Sequence, residues 1–451
     1  VTGARPVTMG RVLSLALPAA AASAATPLLG VVDAFALGRS PDPLEVGAVG
    51  LAAAVFSALY WTFGFLRMAT AGLSAQAAGA GDEPAARALL ARSAGLGALV
   101  GAALLLLGPL LKAPIFAAMA AGSEASADTF AAAQTYFEIR LWAAPAALAT
   151  YAVTGWLTGR GRTGVVLAAT ALMTGLNGAL DWLFVVRMGM GAEGVALGTA
   201  IAEASGFLFT GGGALYVLAR SGGLERDWGR AFKQDRAAFA KLFQANRDIF
   251  IRTALLVTAF VFFTQRSGAR GDVTLAANQI LLQLFLLTGL ALDGPAIAAE
   301  SLVGAAVGRG DRAMFGKTVR LTSIATGLAA VPFAAAYALF GDAILGAMTS
   351  APEIAAEARR FLPWLAMSPL AVALAFELDG IFVGASRGRD MRDMMVLSFA
   401  LYLAAWALLT RWFGAHGHWA AFLLYFAIRG ATLLFRMPRI GREVFSERPA
   451  A

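Results

Sequence analysis

Carboxylates set inside apolar runs are the residues of this sequence whose chemistry most needs a reason. Asp33 lies in LLGVVDAFALG, with apolar neighbours on both sides. An ionised group within a bilayer is costly, so its presence there marks an ion path, a proton relay or a pairing partner. Asn177 and Asp181, in TGLNGALDWLF, stand four residues apart and share one helical face. A carboxylate and an amide carbonyl on one face suit a proton or a hard cation such as Na⁺, which takes oxygen ligands. Thr199, in ALGTAIAE, adds a hydroxyl from the following helix. Glu203 lies one turn beyond it on the same face and offers a second protonatable group. Asp33 and the group Asn177, Asp181 and Thr199 are therefore candidate cation or proton ligands on different helices, which the sequence alone does not bring together. If the two carboxylates meet in a dry pocket, at least one is held protonated more readily than usual.

The second half of the chain carries secondary candidates. Asp293 and Glu300 fall on one face of LALDGPAIAAESLVG, and Asp379 lies in FELDGIFVG. Arg67, Arg140 and Arg252 are also within or near apolar runs, so mutual neutralisation is the competing reading for these acids. Pro18 removes a backbone hydrogen bond from the first apolar run and makes a kink site.

These residues must be positioned by helices in a bilayer. The composition is 59% hydrophobic and only 14% charged, too apolar for one aqueous core. Apolar runs broken by Pro, Gly and charge give twelve helices: 7–36, 46–76, 85–111, 129–158, 163–186, 192–219, 243–265, 273–307, 319–340, 353–384, 394–413 and 419–436. The fold class expected is an all-α polytopic membrane protein, twelve spans in two six-helix lobes related by a pseudo-two-fold axis. The first lobe covers 1–220 and the second 240–440. Between them 221–239, SGGLERDWGRAFKQDRAAF, reads as a polar surface linker, and 441–451 as a tail. Arg and Lys concentrate in the linker, the tail and the loops on the same side, which places both termini in the cytoplasm of a bacterial inner-membrane protein. The first apolar run is too long for a signal h-region and reads as a retained span.

An internal repeat supports two lobes. GLSAQAAGAGDEPAARALLARS, from Gly72, echoes SLVGAAVGRGDRAMFGKTVRLTS, from Ser301; each ends a helix at Gly–Asp and restarts it. Pro145 pairs with Pro369, and TGWLTG from Thr154 pairs with DGIFVG from Asp379, at nearly the same offset. Parallel repeats of this kind are a common transporter design.

Other classes are disfavoured. The chain has no cysteine, so thiolate metal sites and disulfides are excluded. No GxxxxGK[ST] loop supplies an ATP motor. No nucleophile–base constellation suggests an enzyme. The pair His416 and His418 reads as loop histidines. The net charge of +8 belongs to membrane topology rather than nucleic-acid binding.

Several segments together resemble the multidrug and toxic compound extrusion (MATE) family, in its DinF-like bacterial branch. They are LPAAAASAATPLLGVVDAFALG from Leu17, WTFGFLRMATAGLSAQAAGAGD from Trp61, NGALDWLFVVRMGMGAEGVALGTAIAE from Asn177, NRDIFIRTALL from Asn246, LDGPAIAAESLVGAAVGRGDR from Leu292 and ELDGIFVGASRGRDMRDMM from Glu377. The resemblance implies twelve helices around a central cleft and export driven by H⁺ or Na⁺ entry. It implies a cation site at Asp33, Asn177, Asp181 and Thr199, and bending of the first helix at Pro18. No cofactor is expected beyond the coupling ion. The partners expected are amphiphilic, often cationic, organic substrates and membrane lipids, with the protein acting as a monomer. The alternative is a flippase for lipid-linked oligosaccharides on a related fold, which would want a strongly basic cavity.

Overall fold

The computed structural model describes residues 6–37, 43–120, 125–221 and 236–446, and every regular element among them is helical. The helices are α1 (Met9–Leu37), α2 (Pro43–Thr62), α3 (Phe65–Ala80), α4 (Glu83–Ala120), α5 (Ala127–Leu141), α6 (Ala144–Gly159), α7 (Thr163–Asp181) with a π-helical turn Trp182–Arg187, α8 (Gly191–Arg220), α9 (Arg236–Gly268), α10 (Asp272–Arg309), α11 (Arg312–Met348), α12 (Pro352–Gly384) and α13 (Gly388–Ser446).

Nine helical stretches among the described residues are long and apolar enough to cross a bilayer. To these are added α1, the interrupted pair α5–α6, and a second segment of α13, which Gly414 breaks at φ 55° and ψ −124°. The result is the twelve-span polytopic architecture expected. Leu106, Leu110, Leu339 and Phe435 project outward from these helices, as lipid-facing side chains do.

Two expected spans are not continuous. The run 46–76 divides into α2 and α3 at Phe63–Gly64, where the Gly64 amide turns back to the Trp61 carbonyl at 3.1 Å. The run 129–158 divides at Trp142–Ala143, because Pro145 has no amide to extend the ladder and instead starts α6. The loop expected at 414–418 is also revised. Its residues are helical on both sides of the kink, and His418 is buried: its Nδ1 accepts from Trp406 Nε1 at 3.0 Å, and its Nε2 lies 3.0 Å from the Phe263 carbonyl. The linker stretch 221–239 lies mostly outside the described residues; 236–239 already belong to α9.

The Gly–Asp repeat has a structural basis. Gly81 and Gly310 both sit at φ 70°, the left-handed conformation that closes a helix at little cost for glycine. Each following aspartate then caps the next helix. Asp82 Oδ1 accepts from the Ala85 amide at 2.9 Å, and Asp311 Oδ1 from the Met314 amide at 2.8 Å. Gly161 and Ser386 repeat a second positive-φ turn. At Ser386 the strain is held by Gln76, whose Nε2 donates to Ser386 Oγ at 2.9 Å and to the Gly384 carbonyl at 3.1 Å.

The chain forms two compact units. The first comprises Ala21–Ser74 and Gly81–Leu242; the second comprises Val1–Ala20, Ala75–Ala80 and Phe243–Ala451. The first is organised around Trp156, whose Nε1 donates to the Ala86 carbonyl at 2.8 Å while its own carbonyl accepts from Ser74 Oγ at 2.8 Å. The second is organised around aromatic packing of Phe260, Phe263, Phe285, Phe422 and Phe426. Trp156→Phe removes one buried hydrogen bond. It should lower stability by about 1 kcal/mol, read as a drop in Tm in detergent with transport retained.

Candidate cation site

The first unit gathers the four residues singled out in the sequence. Asp33 is 4% exposed on α1, Asn177 and Asp181 are fully buried on α7, and Thr199 is 1% exposed on α8. The Asp33 carboxylate interacts with the side chains of both Asp181 and Asn177. Asn177 Nδ2 donates to Thr199 Oγ1 at 3.3 Å, and Thr199 Oγ1 donates to the Val195 carbonyl at 2.9 Å. The 177/181 spacing does what a helical face dictates, aiming both side chains at one point.

The hydrogen-bond accounting at this point is incomplete. Asp33 Oδ1, Asn177 Oδ1 and both Asp181 carboxylate oxygens are buried with no hydrogen-bond partner. Buried acceptors without donors are rare, and carboxylate oxygens especially so. Two carboxylates facing one another in a dry setting repel. They are stable together only with a proton or a cation between them.

The backbone makes room for this pair. The helix of Asp181 gives way at once to the π turn Trp182–Arg187, an irregularity that often accompanies functional sites. Across from it, a methyl added at Gly198 would fall 2.6 Å from Asp181 Oδ1. Gly198→Ala should therefore displace the Asp181 carboxylate. We expect ion-driven efflux to fall about tenfold, equivalent to about 1.4 kcal/mol and within the usual cost of overpacking, with expression unchanged.

Glu203 is placed differently from the other four. Its carboxylate forms an ion pair with Arg140 of α5, at 2.5 Å to Nη2 and 3.2 Å to Nε, and accepts from Tyr60 OH at 3.1 Å. Arg140 Nη1 also reaches Tyr136 OH at 3.4 Å, and its guanidinium lies 4.5 Å from the Phe56 ring centroid. Arg140, Tyr60 and Tyr136 thus form a neighbouring network that the sequence did not link to the site.

The remaining candidates belong to the second unit and take no part in this cluster. Asp379 pairs with both Arg252 and Arg429, all three buried. Glu300 is buried on α10 and Asp293 half-buried on the same helix. Pro18 is half-buried within α1, which remains helical through it.

A twelve-span helical fold with a buried carboxylate pair fits a membrane transporter. Residues 18–183 and 249–408 match the family model MatE, and the chain belongs to that family, one of transporters rather than enzymes. It is 35% identical to DNA damage-inducible protein F of Escherichia coli K12 over 93% of this chain and 90% of that protein. It is 28% identical to the probable multidrug resistance protein NorM of Rhizobium meliloti, over 97% and 95% of the two chains. Among solved structures, a MOP superfamily transporter from Pyrococcus furiosus matches with a TM-score of 0.84 over 96% of each chain at 19% identity. A MATE structure in the straight conformation matches at 0.85, over 98% of this chain and 97% of that one, at 18% identity. These last two likenesses concern the fold alone.

Proposed function

We propose that the protein is an antiporter in which H⁺ or Na⁺ binding at Asp33, Asn177, Asp181 and Thr199 drives export of amphiphilic, often cationic, organic compounds. The observation that carries this reading is the set of four buried acceptor oxygens with no donor. A proton or Na⁺ satisfies them, and removing it leaves facing charges that destabilise the occupied arrangement. Alternating access then follows from linkage: if ion and substrate favour opposite-facing states, each lowers the affinity for the other. The family name and the NorM relatives support a multidrug substrate range. The flippase alternative wants a strongly basic cavity, and the pairing of Arg140 with Glu203 speaks against one beside the candidate cation site.

The same reading places the protein in a bacterial inner membrane as a monomer, surrounded by lipid. Its lobes are 1–220 and 240–440, and the 221–239 linker and both termini are cytoplasmic. The test of function is cationic dye efflux from proteoliposomes under separately imposed proton and sodium gradients. Either gradient driving efflux supports the proposal; no gradient-dependent efflux of any tested cation removes it.

Bending of α1 at Pro18 is a further part of this proposal. Restoring the missing amide stiffens the helix. Pro18→Ala should therefore slow turnover severalfold while leaving the protein folded and inserted. Wild-type efflux kinetics at equal expression would reduce Pro18 to a static kink.

A further inference from the structure

Asp379 is the meeting point of two positive charges, and its own single charge balances only one of them. Arg252 of α9 and Arg429 of α13 both donate to the same oxygen, Asp379 Oδ2. Asp379 Oδ1 is buried with no hydrogen-bond partner. All three residues belong to the second unit, and the side chains of Arg252, Arg429 and Asp379 are only 8%, 3% and 11% exposed. A carboxylate whose task is to neutralise one arginine takes it fork to fork, with an N–H on each oxygen. Here a single oxygen serves two guanidiniums from different helices.

Neither arginine can relieve this crowding by losing a proton, because a guanidinium stays charged in a protein. Glu377, the next acid back along α12, is turned away toward α11, where it accepts from Thr322 Oγ1 at 2.8 Å and Ser323 Oγ at 2.9 Å. Arg429 presents several N–H donors. Among the described residues its guanidinium has Asp379 as acceptor and a weak cation–π contact with Phe426, 6.0 Å from the ring centroid. A buried charge is costly to keep without a counter-charge. The cluster therefore calls for one more negative charge that accepts N–H donors and fits a place almost closed to solvent.

We propose that Arg252 and Arg429 hold a chloride ion, which together with Asp379 neutralises the pair and ties α9, α12 and α13 to one another. One excess positive charge calls for a monovalent anion. A single atom needs no room for a tail, as this degree of burial requires, and it accepts N–H donors from any direction. The site is independent of Asp33 and stands whether or not that carboxylate couples transport.

The test is the Tm of the purified full chain in detergent, in potassium chloride against potassium gluconate at equal ionic strength, which holds general screening constant. We expect Tm to rise saturably by a few degrees with chloride, and radiolabelled chloride to bind at about one ion per chain. Arg429→Met should abolish both effects. It should also fold, because Arg252 and Asp379 remain as a balanced pair. In gluconate its Tm should equal or exceed that of the wild type, the reverse of what the loss of a structural ion pair does. Equal wild-type Tm in the two salts, with no bound chloride, would overturn the proposal and assign the second charge to the protein's own carboxylates, with Glu300 of α10 the first to test. Chloride binding that survives Arg429→Met would also overturn it, as would a lower Tm of that variant in gluconate. Stabilisation by acetate but not by chloride would replace the halide with a carboxylate ligand and overturn the assignment.

Discussion

Asp33→Asn should abolish ion-driven export while leaving the protein folded and able to bind substrate. The asparagine keeps the volume of the side chain and can donate to Asp181, which in the wild type has no donor on either oxygen. It can neither exchange a proton nor present a full negative charge to Na⁺. The substitution thus relieves the repulsion that makes the site depend on an ion, so folding is expected to hold. Coupling is what disappears. With a coupling free energy of up to about 3 kcal/mol, efflux against a gradient should drop by about two orders of magnitude. Acid pH or high sodium should lower apparent substrate affinity in the wild type and should no longer do so in Asp33→Asn. Asp181→Asn should be nearly as severe. Asn177→Ala and Thr199→Ala should weaken coupling less, since each removes a neutral ligand. The check is efflux together with equilibrium substrate binding on purified wild type and Asp33→Asn across pH and sodium. Full ion-dependent transport by Asp33→Asn would sink the mechanism and move attention to the second-unit carboxylates.

The parts of this site visible in the sequence are those with local causes. Asn177 and Asp181 share a face because of the helical repeat alone, and Asp33 stands out because its neighbours are apolar. The Gly81–Asp82 and Gly310–Asp311 turns were legible for the same reason: a positive-φ glycine and a capping aspartate are written in adjacent residues. What escaped depends on neighbours distant in the chain or on backbone irregularity. The Arg140–Glu203 pair joins residues 63 positions apart. No residue type announces the π turn after Asp181. Glu377 stands beside Asp379 in the sequence, yet two residues along a helix turn a side chain by about 200°. The one therefore meets the hydroxyls of α11 and the other meets Arg252 and Arg429. The Gly64 and Ala143 breaks were hidden because apolar runs on both sides of a break read as one span.

The largest stability effect is expected at Arg140, which holds the charge of Glu203 beside the cation site. Arg140→Met keeps much of the aliphatic stem and its packing against Phe56 but removes the guanidinium. Glu203 would then be a buried carboxylate with only Tyr60 OH as a donor. Stripping one partner from a buried ion pair costs about 3–5 kcal/mol, so Tm in detergent should fall sharply. Replacing both charges should recover most of that loss, because apolar or neutral pairs often match buried ion pairs in stability. Arg140→Met with Glu203→Gln is therefore expected to fold nearly as well as the wild type. The single variant also carries a functional signature. Its uncompensated Glu203 lies one turn from Thr199, so it offers a third carboxylate to any cation bound near Asp33 and Asp181. Where the single variant still inserts, its sodium affinity should rise, and the double variant should return it to the wild-type value. A wild-type Tm for Arg140→Met would show that the pair does not stabilise the fold. An unchanged sodium affinity in a folded single variant would separate Glu203 electrostatically from the cation site.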